Sequence, residues 1–138
     1  MLKTLAVSTI LGGLPGVFTS YLITGVLFHP LQRATPATWR HHEGGVQYAG
    51  AAATKLVVAL SISVLVAITG GVHATGATAI GGGVMIGVLC WAAAALPALC
   101  SAGLFINLHP MVVVGLLLDW LVVTAIAGGV AGGLLIHG

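Results

Sequence analysis

The chain has 138 residues and only six formal charges at neutral pH, four from Lys and Arg and two from Asp and Glu. Its hydrophobic fraction is 59%, whereas about a quarter of the residues in a soluble domain are charged. These values exclude an ordinary water-soluble globule and a charge-rich disordered region. They also exclude a nucleic-acid-binding protein, because four basic residues cannot follow a phosphate backbone. The composition indicates an integral membrane protein.

The apolar runs are continuous and lack the alternation of barrel strands, so they indicate membrane helices of about 20 residues each. The chain accommodates four such spans, at about 5–28, 48–69, 79–105 and 111–136. We therefore predict an all-α fold, an integral membrane bundle of four transmembrane helices that forms a single domain over 1–138. Met1-Leu2-Lys3 before an apolar run is typical of a signal peptide. That run continues to Phe28, which favours a retained first helix.

A polar stretch separates the first two spans and contains half of the formal charges. Thr35-Pro36 is typical of a helix start. Trp39 follows closely, and indole rings favour the membrane–water interface. We predict a short interfacial segment between helices 1 and 2.

The distribution of basic residues predicts the orientation. Arg33 and Arg40 lie in the first loop, whereas the second and third loops contain neither Lys nor Arg. The positive-inside rule then places the first and third loops in the cytoplasm and both termini outside. The high Ala and Gly content is typical of a GC-rich bacterial genome, so we expect a bacterial cytoplasmic (inner) membrane.

Asp119 is the most informative residue, because it lies inside the fourth span, where an acidic side chain needs a partner. Lys55 lies about eight residues into the second span, and Asp119 lies about eight residues into the fourth, both about 12 Å from the same membrane face. We predict an intramembrane contact between them, direct or through a polar group or water. Its role is either to fix how the helices dock or to relay protons or ions. A third interpretation is that Lys55 extends to the membrane surface.

No cofactor is predicted, but a metal or haem site remains an alternative. Histidine and carboxylate side chains gather on the proposed cytoplasmic side and are plausible ligands for zinc, copper or iron. None of their spacings is diagnostic, and the interpretation we favour is that these histidines lie at the interface and form hydrogen bonds with loop carbonyls or lipid headgroups. These candidate ligands are His29, His41, His42, Glu43 and His109.

Glycine supplies 21 of the 138 residues and recurs at the four-residue spacing that lets membrane helices approach closely. The contacts it predicts are either inside the bundle or with a second copy or another membrane protein. The candidate packing positions are Gly83, Gly87, Gly128, Gly129, Gly132 and Gly133.

The layout resembles a group of small four-helix bacterial membrane proteins known as domain of unknown function 1761. The resemblance lies in Phe28, Pro30 and Trp39 around the first loop. It continues in Leu104-Phe105-Ile106-Asn107, in Leu118-Asp119-Trp120 and in the glycine-rich end of the last span. The resemblance implies a four-helix fold and a membrane location, and it implies no activity.

No phosphate-binding loop or nucleophile triad is present in the sequence, and two acids leave little for acid–base catalysis, so we expect no enzyme. The interpretation we favour is an accessory or structural subunit that packs through glycine-rich helix faces. Its partners would be the lipid bilayer and either other membrane subunits or a second copy, with no nucleic acid. The alternative is a small oligomeric protein for transport or for proton or ion permeation that uses Asp119 and Lys55.

Overall fold

The protein folds into long helices, seen here in a computed structural model. The structure describes residues 1–28, 30–31, 44–69, 77–106 and 108–135. Within these ranges the chain forms helices and no strand. Helix α1 is α-helical over Leu2–Ser20 and π-helical over Tyr21–Leu27, and α2 is Gly45–Thr69. The third helix, α3, consists of Ala77–Cys90, a π-helical turn Trp91–Ala95 and Leu96–Phe105, and α4 is Pro110–Leu135.

These helices confirm the predicted all-α architecture. All four are long and apolar enough to cross a membrane, so the chain fits a multi-pass membrane protein. They correspond to the four predicted spans, and the largest differences between described and predicted ends are at the N-termini of α1 and α2. The predicted end of the fourth span, Ile136, lies outside the described residues. Most of the predicted interfacial segment, including Trp39, lies outside the described residues.

Helix α4 is the centre of the bundle. It is the most buried of the four helices, and α3 is the least buried. Helix α4 packs against the other three, α1 also packs against α2, and α3 contacts mainly α4. Residue pairs across these interfaces run antiparallel for α1 with α4 and for α3 with α4, so α2 and α4 begin at the same end of the bundle. We call this end the loop-one end.

Close backbone contact between α3 and α4 occurs at several of the glycines. A Cβ on Gly83 would overlap the carbonyl of Gly128, and a Cβ on Gly87 would overlap the carbonyl of Thr124. Such close approach is possible only without side chains, and it brings the two helices into van der Waals contact along their length. All six candidate packing glycines lie at this one interface: Gly83, Gly87, Gly128, Gly129, Gly132 and Gly133.

The interface of α1 is also built from small residues. Gly12 and Gly16 lie against Ala127 and Val123 of α4. On the side facing α2, the hydroxyls of Ser8 and Ser63 form a fully buried hydrogen bond of 2.8 Å. The bond pairs two buried hydroxyls across the interface, so it helps to fix the register of α1 on α2.

The π-helical turns shift the inward face of two helices by one residue. In α3, Gly83 and Gly87 point at α4, and an unbroken α-helix would next turn positions 94 and 98 inward. Both of those positions are exposed, and Leu99 and Gly103 are half-buried instead. A π-helical turn has one residue more than an α-turn, so everything beyond it is rotated by about 100°.

Candidate functional site: an intramembrane polar cluster

Asp119 and Lys55 form a direct ion pair in the middle of the bundle. The distance from Lys55 Nζ to Asp119 Oδ2 is 2.7 Å. The side chains are 7% and 3% exposed for lysine and aspartate respectively. The contact predicted from the sequence is therefore direct in the structure, and Lys55 does not extend to the surface.

A third helix contributes to the same carboxylate. Ser20, the last residue of the α-helical part of α1, donates its hydroxyl to Asp119 Oδ1 at 2.6 Å. Each carboxylate oxygen thus has a donor, and the donors come from different helices. Our sequence analysis missed Ser20. The available signal was its depth, because Ser20 lies eight residues before Phe28, which matches the depth predicted for Lys55 and Asp119.

The ammonium group of Lys55 has an aromatic neighbour as well. It lies over the ring of Trp120, 3.6 Å from the ring centroid. A cation over an indole face is attracted by the ring quadrupole, most strongly where water is excluded. Trp120 follows Asp119 directly, so α4 presents both groups to α2. We call Ser20, Lys55, Asp119 and Trp120 the polar cluster.

The electrostatics of the polar cluster depend on its burial. An unpaired charge in hydrocarbon is unfavourable by several kcal/mol, and an ion pair offsets this only with close geometry and further hydrogen bonds. Here the ion pair, the serine donor and the indole ring supply those contacts. Among the described residues, no buried side-chain nitrogen or oxygen lacks a hydrogen-bond partner.

Side-chain hydrogen bonds reach the backbone of α4 on both sides of Asp119, one from α3 and one from within α4. The indole Nε1 of Trp91 in α3 donates to the carbonyl of Leu117 at 2.9 Å. The hydroxyl of Thr124 donates to the carbonyl of Trp120, also at 2.9 Å. The first bond extends the polar interactions at this depth to α3, so all four helices are linked near the level of Asp119.

The structure describes one of the five predicted metal ligands. His29, His41, His42 and Glu43 lie outside the described residues. The fifth, His109, precedes α4 and accepts a hydrogen bond at Nδ1 from the backbone N–H of Met111. The described ranges contain no group of three metal-ligating side chains. A metal or haem site around these histidines stays a prediction.

Chemically, the polar cluster pairs one acid with one ammonium group, and the Ser20 hydroxyl is a donor to the same carboxylate. Comparison with known proteins gave no family model, no curated protein and no solved structure that matches the chain. The resemblance to domain of unknown function 1761 therefore stays a prediction. The function has to be argued from the arrangement of the polar cluster and the helices.

Removing the Ser20 hydroxyl provides a first test of the polar cluster. We expect Ser20→Ala to lower the free energy of unfolding by about 1–2 kcal/mol, because it removes a donor to a buried carboxylate. Ser61→Ala is the matched control, since the exposed Ser61 hydroxyl bonds only to its own helix at the carbonyl of Val57. The measurement is reversible unfolding in detergent micelles. Equal stabilities of the two variants would show that the Ser20 contact contributes nothing.

Proposed function

We propose that this chain is a non-enzymatic multi-pass membrane protein that acts as an accessory or structural subunit, and that its intramembrane ion pair fixes the docking of its own helices. The single observation that carries this proposal is the closed geometry of the polar cluster. Asp119 has a donor on each carboxylate oxygen, and its ion-pair partner Lys55 is buried against Trp120.

The closed geometry favours a structural role over a relay for a physical reason. A group that passes protons or ions needs contact with water or with a further acceptor along a path. The neighbours of the pair on its own helix faces are small and apolar: Ala59 lies one turn beyond Lys55, and Gly115 lies one turn before Asp119. These residues allow close helix packing, which tightens the ion pair and excludes water.

The accessory role depends on which helix surfaces remain available for a partner subunit to bind. The six packing glycines are used between α3 and α4, so a partner subunit would bind to the outer faces of the helices. Helix α3 has the largest outward surface, because it contacts mainly α4.

We place the chain in a bacterial inner membrane, with the first and third loops in the cytoplasm and both termini outside. Membership of domain of unknown function 1761 is part of the same proposal.

Native mass spectrometry of the protein, extracted gently from its own membrane, tests the accessory role. We expect a complex with at least one other polypeptide in defined stoichiometry. The comparison is the same extraction after Gly82→Leu, which adds a side chain where nothing in the bundle lies within 4 Å of a Cβ and should weaken binding of a partner on the outer face of α3. A bare monomer or a homo-oligomer at every detergent concentration would contradict the proposal.

The second candidate is an oligomeric proton or ion permeation protein, and the observation that favours it is the presence of an amine and an acid inside two membrane spans. Its test is proton flux into proteoliposomes that contain the purified chain, compared between wild type and Asp119→Asn. Under the structural proposal, flux is equal in the two. A wild-type flux that Asp119→Asn abolishes, in a variant that still folds, would establish permeation instead.

A further inference from the structure

Phe28 lies on the loop-one side of the polar cluster. Its ring lies on Gly115 of α4, where an added Cβ would be 2.5 Å from the ring. Gly115 is one helical turn before Asp119, which places the ring about 6 Å from the level of the carboxylate. Phe28 therefore lies between the ion pair and the end of the bundle at which α2 and α4 begin.

The π-helical turn of α1 brings Phe28 to this position. Gly12, Gly16 and Ser20 follow one face of α1, and an unbroken α-helix would continue that face at position 27. Leu27 is instead 66% exposed, and Phe28 faces α4. The N–H of Phe28 donates to the carbonyl of Ile23, five residues back, at 3.2 Å. The extra residue in the turn thus rotates Phe28 by about 100° onto Gly115.

A change of the π-helical turn to α-helical geometry would give Phe28 a second position. The α-helical hydrogen-bond pattern is the common one, and π-helical turns are rare and occur often at functional sites. A return of Tyr21–Leu27 to α-helical geometry would rotate Phe28 away from Gly115 and bring Leu27 toward α4. An exchange of this kind needs no movement of the other three helices.

We propose that Phe28 on Gly115 is a hydrophobic gate between the Lys55–Asp119 pair and water at the loop-one end, and that the π-helical turn of α1 opens and closes it. In the closed state described here, the ring excludes water and the ion pair is dry. In the open state, water reaches the carboxylate from one side of the membrane only. The inference concerns access to the pair and depends on neither role proposed for it.

Thiol labelling at the inner side of the gate tests the proposal. The native Cys90 and Cys100 are replaced by alanine, and Ser20→Cys places a thiol beside Asp119. A membrane-impermeant sulfonate thiol reagent is then applied to proteoliposomes from both sides. Met111→Cys, at the exposed start of α4 and outside the gate, gives the reference rate in the same background.

Removal of the ring should expose the inner thiol. A gate that is open at most about 10% of the time makes labelling at least about tenfold slower than in a permanently open protein. We expect Phe28→Ala to raise the labelling rate of the thiol in Ser20→Cys by this factor, relative to the Met111→Cys reference. Phe28→Leu retains an apolar side chain, so the thiol should still label slowly in that variant. Equal rates in the presence and absence of the ring would overturn the proposal.

Deletion of Gly25 tests the role of the π-helical turn in a separate variant. This test can be made even if Phe28→Ala does not fold. Deletion of one residue within Tyr21–Leu27 lets α1 become α-helical while Phe28 stays on Gly115, so this variant is locked closed. We expect its inner thiol to label more slowly than that of the protein with the intact turn. A deletion variant that labels as fast or faster would show that the turn does not operate the gate.

Discussion

Asp119→Ala should be the most destabilising of the single substitutions in the polar cluster, with a loss of about 3–5 kcal/mol in the free energy of unfolding. The substitution leaves the Lys55 ammonium buried in the bundle without its anion, and it removes the acceptor of Ser20. The cation–π contact with Trp120 remains, but it replaces only part of the lost attraction. The loss is measured by reversible unfolding in micelles followed by far-UV circular dichroism.

A double variant distinguishes two contributions to the loss of stability: the loss of the ion pair itself and the burial of one charge without its partner. In Lys55→Met/Asp119→Leu both charges are absent, and we expect most of the stability to return, because apolar side chains of similar size can replace a buried ion pair. Lys3→Met is the matched control for removal of a lysine, since Lys3 is exposed, and it should leave stability unchanged. If the double variant is no more stable than Asp119→Ala, the ion pair is not the source of the effect.

Depth in the membrane made part of the polar cluster predictable. Lys55 and Asp119 are the only charged residues inside the apolar spans, and each lies a similar distance from the same membrane face. Because hydrocarbon gives charges few alternatives, two opposite charges at one depth are expected to meet. Ser20 and Trp120 were not predicted as their partners, since serine and tryptophan are also common in membrane helices without such a role.

The faces of the helices were less predictable than their positions. In a soluble bundle the polar residues mark the outer side of each helix, but here the outer sides are apolar as well as most of the inner ones. The glycines of α4 occur in two interleaved series, and sequence alone does not indicate whether a series contacts α3 or another chain. The π-helical turns left no signal either, because a one-residue rotation exchanges one apolar residue for another, as with Leu27 and Phe28.

The α3–α4 interface gives the second large effect, and two adjacent glycines provide a closely matched comparison. We expect Gly83→Ala to lower the free energy of unfolding by about 3 kcal/mol, since its Cβ would overlap the backbone carbonyl of Gly128 and force the helices apart. Gly82→Ala should raise the free energy of unfolding, by no more than about 1 kcal/mol, because alanine is the better helix former. Nothing lies within 4 Å of the added Cβ, so no contact is disturbed.

The two substitutions add the same methyl group to neighbouring positions of one helix, so any difference between them reports the interface and not helix propensity. Unfolding in micelles, with the distance between α3 and α4 followed by a pair of spin labels, measures both stability and separation. Equal effects of Gly82→Ala and Gly83→Ala would contradict the backbone contact. A loss confined to Gly83→Ala, with an increased distance, would mean that α3 is held on α4 chiefly by backbone contact.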